Sequence, residues 1–597
     1  MTVSFDMEWT KESIDVLGLA FGDGLHATAT GRTPETMSQF LDVLHRADRI
    51  AGHNAIDADL GQLEKEGLDT SALLPKTFDT RVAFHAVNSH LAGTGSFGLR
   101  SIVLLLNGRQ GQRFGLDWKQ YESDLHRTCA YDAAAVSWVV PTLDRLIAAH
   151  RLENTVDIGL KCSDIFRRMR LQGVQLDKDV LRQIYDARKT NTGDLIEKHG
   201  LWEDRGTKRI RRVAIWRSPK VLDLFESRFG YRPANLQRST WTKLLYSTHL
   251  SDDAHEFASA IVELGKGAND AHWLGKPTEG DGDDLHFAKV SEDGKIYPRY
   301  DICGSPDRAI ASGPNIQNFP RPSDDPRPVK LRSAVIPLDP SHVILGVDFS
   351  SVETITNAYE SQDMDRVQAV LEKRVTHEGT AALFNAMGLS LNRHQGKAIN
   401  HGFDKGESPY NLARTLFKTD RPSRQQVVQC TAMFQRMLAE YPKTAAFRNT
   451  LWERAQENPL VVTNSFGRRL LCFSRSKYGE SNDRFAKHEP AKKYWCSCKA
   501  CAPRRDRWKY AIAFLGRSAA FDALLRKMAA IWYDRRLDAY SLPIMEVHDE
   551  LDFSVPRESV ERYAVIAREC FQEPIPELGC IILPASVVWG NNWATAH

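Results

Sequence analysis

Carboxylates that close short apolar runs are the first residues in this chain able to do chemistry. Residues 343–348 read as a buried strand ending on Asp348. A carboxylate there is held rigidly at a cleft edge, where a cation can sit. The simpler alternative is that Asp348 caps the helix that follows. Near the C-terminus, His548, Asp549 and Glu550 precede the alternation Leu551, Phe553, Val555. That alternation predicts a β-hairpin over 541–556 with His548 and Asp549 at its tip; a plain polar turn is the alternative. Between these segments, Arg393, Lys397 and His401 recur every fourth residue, which is one stripe of a helix. Two cations one turn apart match adjacent phosphoryl groups, whereas a solvated basic face would have the same pattern.

The N-terminus holds a second acidic set. Val3, Phe5, Met7 and Trp9 point to one face of a predicted strand, and Asp6 and Glu8 point together to the other. Paired carboxylates on one face suit a metal pair; an ordinary half-buried strand is the alternative. Further on stand Gly52-His53-Asn54 with Asp59, for which Asp57 is a rival, and Tyr131-Asp132 in a helical run. A third cluster, Cys496, Cys498 and Cys501, has His488 and Cys472 upstream. Three thiolates and His488 make a candidate tetrahedral zinc set. Free reduced thiols are the alternative, and a DNA-contacting insertion is a third reading, because Lys492, Lys493, Arg504, Arg505 and Arg507 surround the cluster.

These residues need several domains to position them. A chain of 597 residues exceeds one core, and about two to four domains are expected. Hydrophobic residues at 42% and charged residues at 26% suit a soluble globular protein. A net charge of +3 is compatible with nucleic-acid binding when metal-binding acids offset a basic groove. No apolar run approaches the roughly 20 residues of a membrane helix. Residues 1–12 lack signal-peptide character, and the scattered cysteines suit a reducing, cytoplasmic setting. Residues 1–150 alternate strand-like and helix-like runs. A basic stretch around Trp216 follows, from Lys208 and Arg209 through Arg211 and Arg212 to Arg217 and Lys220. Residues 275–294 read as a loop, and helices are predicted at 425–441 and near 519–532.

Taken together, the segments ending in Asp348, carrying Arg393–His401, and holding His548-Asp549-Glu550 resemble motifs A, B and C of the family A DNA polymerases. Residues 307–320, Asp-Arg-Ala-Ile-Ala-Ser-Gly-Pro-Asn-Ile-Gln-Asn-Phe-Pro, resemble the family's segment ahead of motif A. Thr376-His377, Ala381–Phe384 and Gly467-Arg468-Arg469 extend the likeness, which spans about 300 to 590. The N-terminal acids resemble the motifs of DEDD-type 3′–5′ exonucleases. The resemblance implies a multidomain α/β and α+β fold. Its parts would be a ribonuclease H-like exonuclease domain at 1–150, a thumb at 151–285, palm at 286–360 and 506–597, and fingers at 361–505. No 5′-nuclease domain is expected, and a compact phage-type monomer is.

The resemblance also assigns roles. Asp348 and Asp549, flanked by Glu550, would hold two Mg²⁺ ions. Asp6, Glu8, Asp59 and Asp132 would hold two more. Arg393, Lys397, His401 and His377 would meet the dNTP, and Glu353 stands at the steric gate that rejects ribonucleotides. Arg308, Gln317, Asn318, His548, Lys509 and Arg517 would contact the primer–template, mostly without reading sequence. The sequence departs from the family at His401, where an aromatic is common, and at Lys405, where a Tyr is. Gly396 and Gly402 are each expected to weaken the motif B helix by roughly 1 kcal/mol. An unusual nucleotide pocket follows, as in phage polymerases serving 2-aminoadenine genomes. In the exonuclease, Thr128 stands where a Tyr is usual, so excision is expected to be slow or to draw on His126 or Tyr131. The alternatives are a single-subunit RNA polymerase, and a DNA-binding factor of weak activity that kept the fold.

Overall fold

The computed structural model describes residues 1–10, 13–22, 26–92, 96–107, 123–205, 211–214, 217–245, 247, 249–274, 277–279, 285–323, 325, 329–386, 388–419, 421–473, 494–496, 498 and 500–596. Its N-terminal layer is a five-stranded sheet. The strands are β1 (Thr2–Trp9), β2 (Ile14–Phe21), β3 (His26–Gly31), β4 (Arg49–Gly52) and β5 (Thr77–Asp79), in the order β3-β2-β1-β4-β5. β1 runs antiparallel to β2 and parallel to β4. Val3, Phe5 and Met7 enter the core as the alternation requires, whereas Trp9 at the strand end is exposed. Helix α1 (Leu125–His150) packs on β2, and Gly18 makes the approach possible. A Cβ there would meet the Cys129 carbonyl oxygen at 2.8 Å.

Helix α2 (Glu153–Gln172) follows directly. Ile158, Cys162, Ile165, Phe166 and Met169 join the same apolar core as the central sheet. The helix that opens the region expected to be thumb thus packs with the central sheet. The separate helical core comes later, built by Phe225, Trp241 and Phe257 among others. The predicted loop at 275–294 also contains structure: Pro277–Glu279 pairs antiparallel with Leu285–Phe287.

The central sheet comprises β6 (His342–Phe349), β7 (Met545–Val547), β8 (Glu550–Pro556) and β9 (Ala585–Gly590), ordered β7-β8-β6-β9 and antiparallel at every pairing. The predicted hairpin is β7–β8. Val352 and Ile355 of α3 (Val352–Glu360) join the sheet's core, whereas α4 (His377–Asn385), α5 (Arg393–Asp404) and α6 (Arg424–Glu440) share a separate one through Phe384, Phe403 and Phe434. The predicted helix near 519–532 is the second half of α7 (Ala502–Trp532), 31 residues long. Its first half lies in a peripheral core with Trp452 and Tyr494. Its second half enters the palm core through Leu524, Leu525 and Met528. No helix among the described residues is long and apolar enough to cross a membrane.

Candidate active sites

Strand register brings the palm acids together. Asp348 lies opposite Glu550 across β6 and β8. The Phe349 N–H donates to the Asp549 carbonyl at 3.2 Å, and the Asp549 N–H to the Val547 carbonyl at 3.0 Å, which closes the tip. His548 occupies that tip at φ +68°, a left-handed conformation costing about 1–3 kcal/mol outside glycine. Asp348 caps nothing: the residue before α3 is Ser351, at φ 59°, and no side chain caps that helix. Burial first, then Asp549 and Glu550, push the Asp348 carboxyl up to about 8. Burial, then Glu550 and Glu353, push Asp549 up to about 6. Burial and like charges thus outweigh the opposing effect of Arg321 and Lys397 on Asp348 and of Arg321 on Asp549.

The basic stripe stands against them. Asn392 caps α5 in a reciprocal capping box with Gln395. At the helix start Arg393 is exposed and paired with Glu378. One turn on, Lys397 is half-buried and feels both Asp348 and Asp549, while burial, then Arg321 and Arg393, lower its ammonium pKa. A further turn on, His401 Nδ1 lies 3.5 Å from Glu353 Oε2, and Lys405 Nζ lies 3.4 Å from the same oxygen. Burial opposes charge on Glu353, yet His401, Lys405 and Arg517 hold its pKa down to about 2. His377 faces His401 with ring centroids 5.7 Å apart, and its Nδ1 lies 3.1 Å from Asn400 Nδ2. Burial, then His401 and Lys397, take His377 down to about 4. The expected weakness at Gly396 has a packing reason: a Cβ there would sit 2.0 Å from the His377 carbonyl oxygen, so only glycine lets α4 and α5 meet.

The expected DNA contacts divide. Asn318 and Lys509 are exposed, and Arg308 is partly so. Gln317 is 7% exposed and its amide is committed inward. It accepts from the Ala311 N–H at 3.0 Å and donates to the Ala309 carbonyl at 3.2 Å and Glu546 Oε2 at 2.7 Å. Arg517 forms an ion pair with buried Asp307. Burial, then Arg308 and Arg321, lower the His548 pKa. Two participants escaped the sequence reading. Arg321 acts on Asp348, Asp549 and Lys397 together, but it lies outside any periodic element. Glu546, pushed up to about 8 by burial, braces the hairpin through Gln317; only its place in a strand could have marked it.

The N-terminal acids also converge. Carboxylate oxygens of Asp6, Glu8 and Asp132 lie within 4.8 Å of one another. Burial raises the Asp6 pKa well above the ordinary value, followed by the charges of Asp59, Asp132 and Glu8. Asp132 rises to about 8 through burial, then Glu8. Asp59 is 3% exposed, and both Asp59 Oδ1 and Asp132 Oδ1 are buried without a hydrogen-bond partner. Asp57 is no rival, because it joins Arg170 at 3.3 Å and Arg299 at 2.6 Å, tying this layer to α2 and the palm. Tyr131 packs against the apolar cluster of Val136 and Val139, and exposed His126 sits beside Gly31 on the edge strand.

Sulfur ligand atoms of Cys496, Cys498 and Cys501 lie within 4.8 Å of one another. Cys472 belongs to the neighbouring apolar core. His488, Lys492, Lys493, Lys208, Arg209 and Trp216 lie outside the described residues.

The family model of DNA polymerase family A matches residues 282–595, which is more than half the chain and includes every palm residue above. The chain belongs to DNA polymerase family A. It is 27% identical to DNA polymerase I of Lactococcus lactis subsp. lactis over 318 residues, covering 52% of this chain and 32% of that protein. It is 28% identical to DNA polymerase I of Pseudomonas aeruginosa over 315 residues, covering 51% and 30%. The chain thus spans about a third of the length of the curated relatives it matches. Its fold resembles the solved POL domain of Pol1 from M. smegmatis, in complex with DNA primer-template and dNTP. The TM-score is 0.71 at 18% identity, covering 100% of this chain and 96% of that one.

Proposed function

We propose that this chain is a template-directed DNA polymerase that extends a primer 3′ end with dNTPs and carries a ribonuclease H-like 3′–5′ exonuclease in its N-terminal layer. The observation that carries the reading is Asp348 beside Asp549 with the Lys397 ammonium facing both. The relatives named DNA polymerase I, and a fold neighbour bound to primer-template and dNTP, agree with it. The β3-β2-β1-β4-β5 order and the four converging acids support the exonuclease.

The residues fit divalent cations. Burial, then neighbouring acids, raise the Asp348 and Asp549 pKa values, and buried oxygens of Asp59 and Asp132 lack partners. Asp348 and Asp549, supported by Glu550, would hold Mg²⁺ in the palm; Asp6, Glu8, Asp59 and Asp132 would hold it in the N-terminal layer. Bound Mg²⁺ supplies a more acidic hydroxyl or water and charge neutralisation on the leaving oxygen. This chain's own residues do the rest. Arg393 and Lys397 draw the triphosphate along α5, and Arg321 adds charge from across the cleft. Glu353, fixed between His401 and Lys405, fills the space a 2′-hydroxyl would need. Asn318, Arg308 and Lys509 offer polar groups to the duplex. The helical region after α2 serves as thumb and 361–505 as fingers.

His401 and Lys405, both close to Glu353, are polar where the family is commonly aromatic, which supports a phage-type pocket adapted to a modified purine such as 2-aminoadenine. Competition of its triphosphate against dATP opposite thymine tests this; equal use contradicts it. The main reading is tested by extension of a primer–template with dNTPs or NTPs. Extension with dNTPs alone, lost in Asp348→Asn, is expected. Extension with NTPs favours an RNA polymerase, and duplex binding without extension favours a DNA-binding factor.

A further inference from the structure

Nothing in the proposed polymerase or exonuclease chemistry uses the cysteines ahead of α7. Cys496 is 1% exposed and Cys498 4%, and Cys501 is half-buried at the residue that begins α7. The Cys501 N–H donates to the Cys498 carbonyl at 3.2 Å. That hydrogen bond brings Cys501 back toward Cys498. All three sulfurs lie within 4.8 Å of one another. In a tetrahedral zinc site with Zn–S bonds of about 2.3 Å, sulfurs stand about 3.8 Å apart, so only a small contraction is needed. None of the ten cysteines forms a disulfide, and no other three cysteines among the described residues converge.

The backbone that carries these thiols is fixed on both sides. Tyr494 stacks on Trp508 of α7, with centroids 4.3 Å apart and planes at 11°. Trp495 stacks on Phe434 of α6 at 6.1 Å. Arg505 Nη1 donates to the Cys496 carbonyl at 2.5 Å. The ligands are thus held before a cation arrives, which lowers the ordering cost of binding.

We propose that Cys496, Cys498 and Cys501 bind a structural Zn²⁺ that pins the start of α7 to the fingers. Each thiol loses its proton on binding, so uptake releases three protons and leaves a net negative centre. The Arg504 guanidinium, close enough to respond to Cys501, faces that charge. Water or one further side chain completes the fourth position. The site holds the first turn of the helix that carries Lys509 and Arg517.

Cobalt substitution of the full-length protein tests the proposal, since carboxylate sites also take divalent metals but give no sulfur signature. Equimolar Co²⁺ is expected to produce a thiolate-to-cobalt charge-transfer band and intense tetrahedral d–d bands, both abolished by added Zn²⁺. The bands should persist in Asp6→Ala and Asp348→Ala and vanish in Cys498→Ser. Should Cys498→Ser fail to fold, alkylation of the wild-type thiols with and without Zn²⁺ serves instead, and Zn²⁺ is expected to slow it at least tenfold. Absence of the charge-transfer band together with alkylation unchanged by Zn²⁺ overturns the proposal and leaves a hydrogen-bonded thiol cluster.

Discussion

Asp522→Asn should open the joint between the N-terminal layer and the polymerase. Arg468 is 3% exposed and Asp522 4%. Arg468 Nε lies 3.1 Å from both Asp522 oxygens, and Nη2 donates to Oδ1 at 2.5 Å. Asn464 Nδ2 donates to Asp522 Oδ2 at 2.9 Å, and Asn464 Oδ1 accepts from the Phe466 and Arg468 N–H groups. Arg468 Nη1 also reaches His85 Nδ1 at 3.1 Å, and His85 Nε2 meets the Ser305 carbonyl at 3.0 Å. Burial, then Arg468, lower the His85 pKa well below its ordinary value, and an imidazole has no negative charge to offer Arg468 in place of the carboxylate. Removing one partner of a buried pair costs about 3–5 kcal/mol because the other is left uncompensated. Asparagine keeps one acceptor, so the lower end, about 3 kcal/mol, is expected. That is roughly a hundredfold in a local opening constant. Hydrogen exchange at the Phe466 and Arg468 amides measures it directly. A change below about threefold would refute the reasoning, and Arg468→Met with Asp522→Leu should recover most of the loss.

The remaining predictions concern the sites. The Asp348 and Asp549 pKa values are raised, so each contributes stability that is full below the ordinary carboxyl pKa and lost as pH rises through about 6 and about 8. In EDTA the melting temperature should therefore fall between pH 5 and pH 8 (roughly the window of both groups), and Asp348→Asn should flatten that fall. Gly396→Ala should cost about 1–3 kcal/mol by overpacking α5 on α4, seen as a lower melting temperature together with reduced extension. Asp57→Ala should leave primer shortening near normal, since its partly exposed ion pairs contribute about 1 kcal/mol or less, whereas Asp59→Ala should abolish shortening.

Much of the palm was legible because its acids sit in short segments with strong local patterns. The alternation after Glu550 forecast the strand, and the spacing of four forecast the stripe of Arg393, Lys397 and His401. Asp348 could be read as cap or ligand until the strand register put it opposite Glu550. Asp57 and Asp59 were inseparable in sequence, because only the fold reveals that Arg170 and Arg299 occupy the former. Gln317 sits in a polar segment, but its burial depends on Glu546 more than two hundred residues away. The Gly396 contact and Arg321's reach were hidden for the same reason: each depends on a neighbour that only tertiary packing brings near.

The central claim is that two separate acidic sites act on one primer end. An end-labelled primer–template with Mg²⁺, incubated with and without dNTPs, tests it on wild-type, Asp348→Ala and Asp6→Ala protein. The account predicts that lengthening is lost in Asp348→Ala alone and that shortening is lost in Asp6→Ala alone. Lengthening that survives Asp348→Ala, or a wild-type protein that extends no primer, would contradict it.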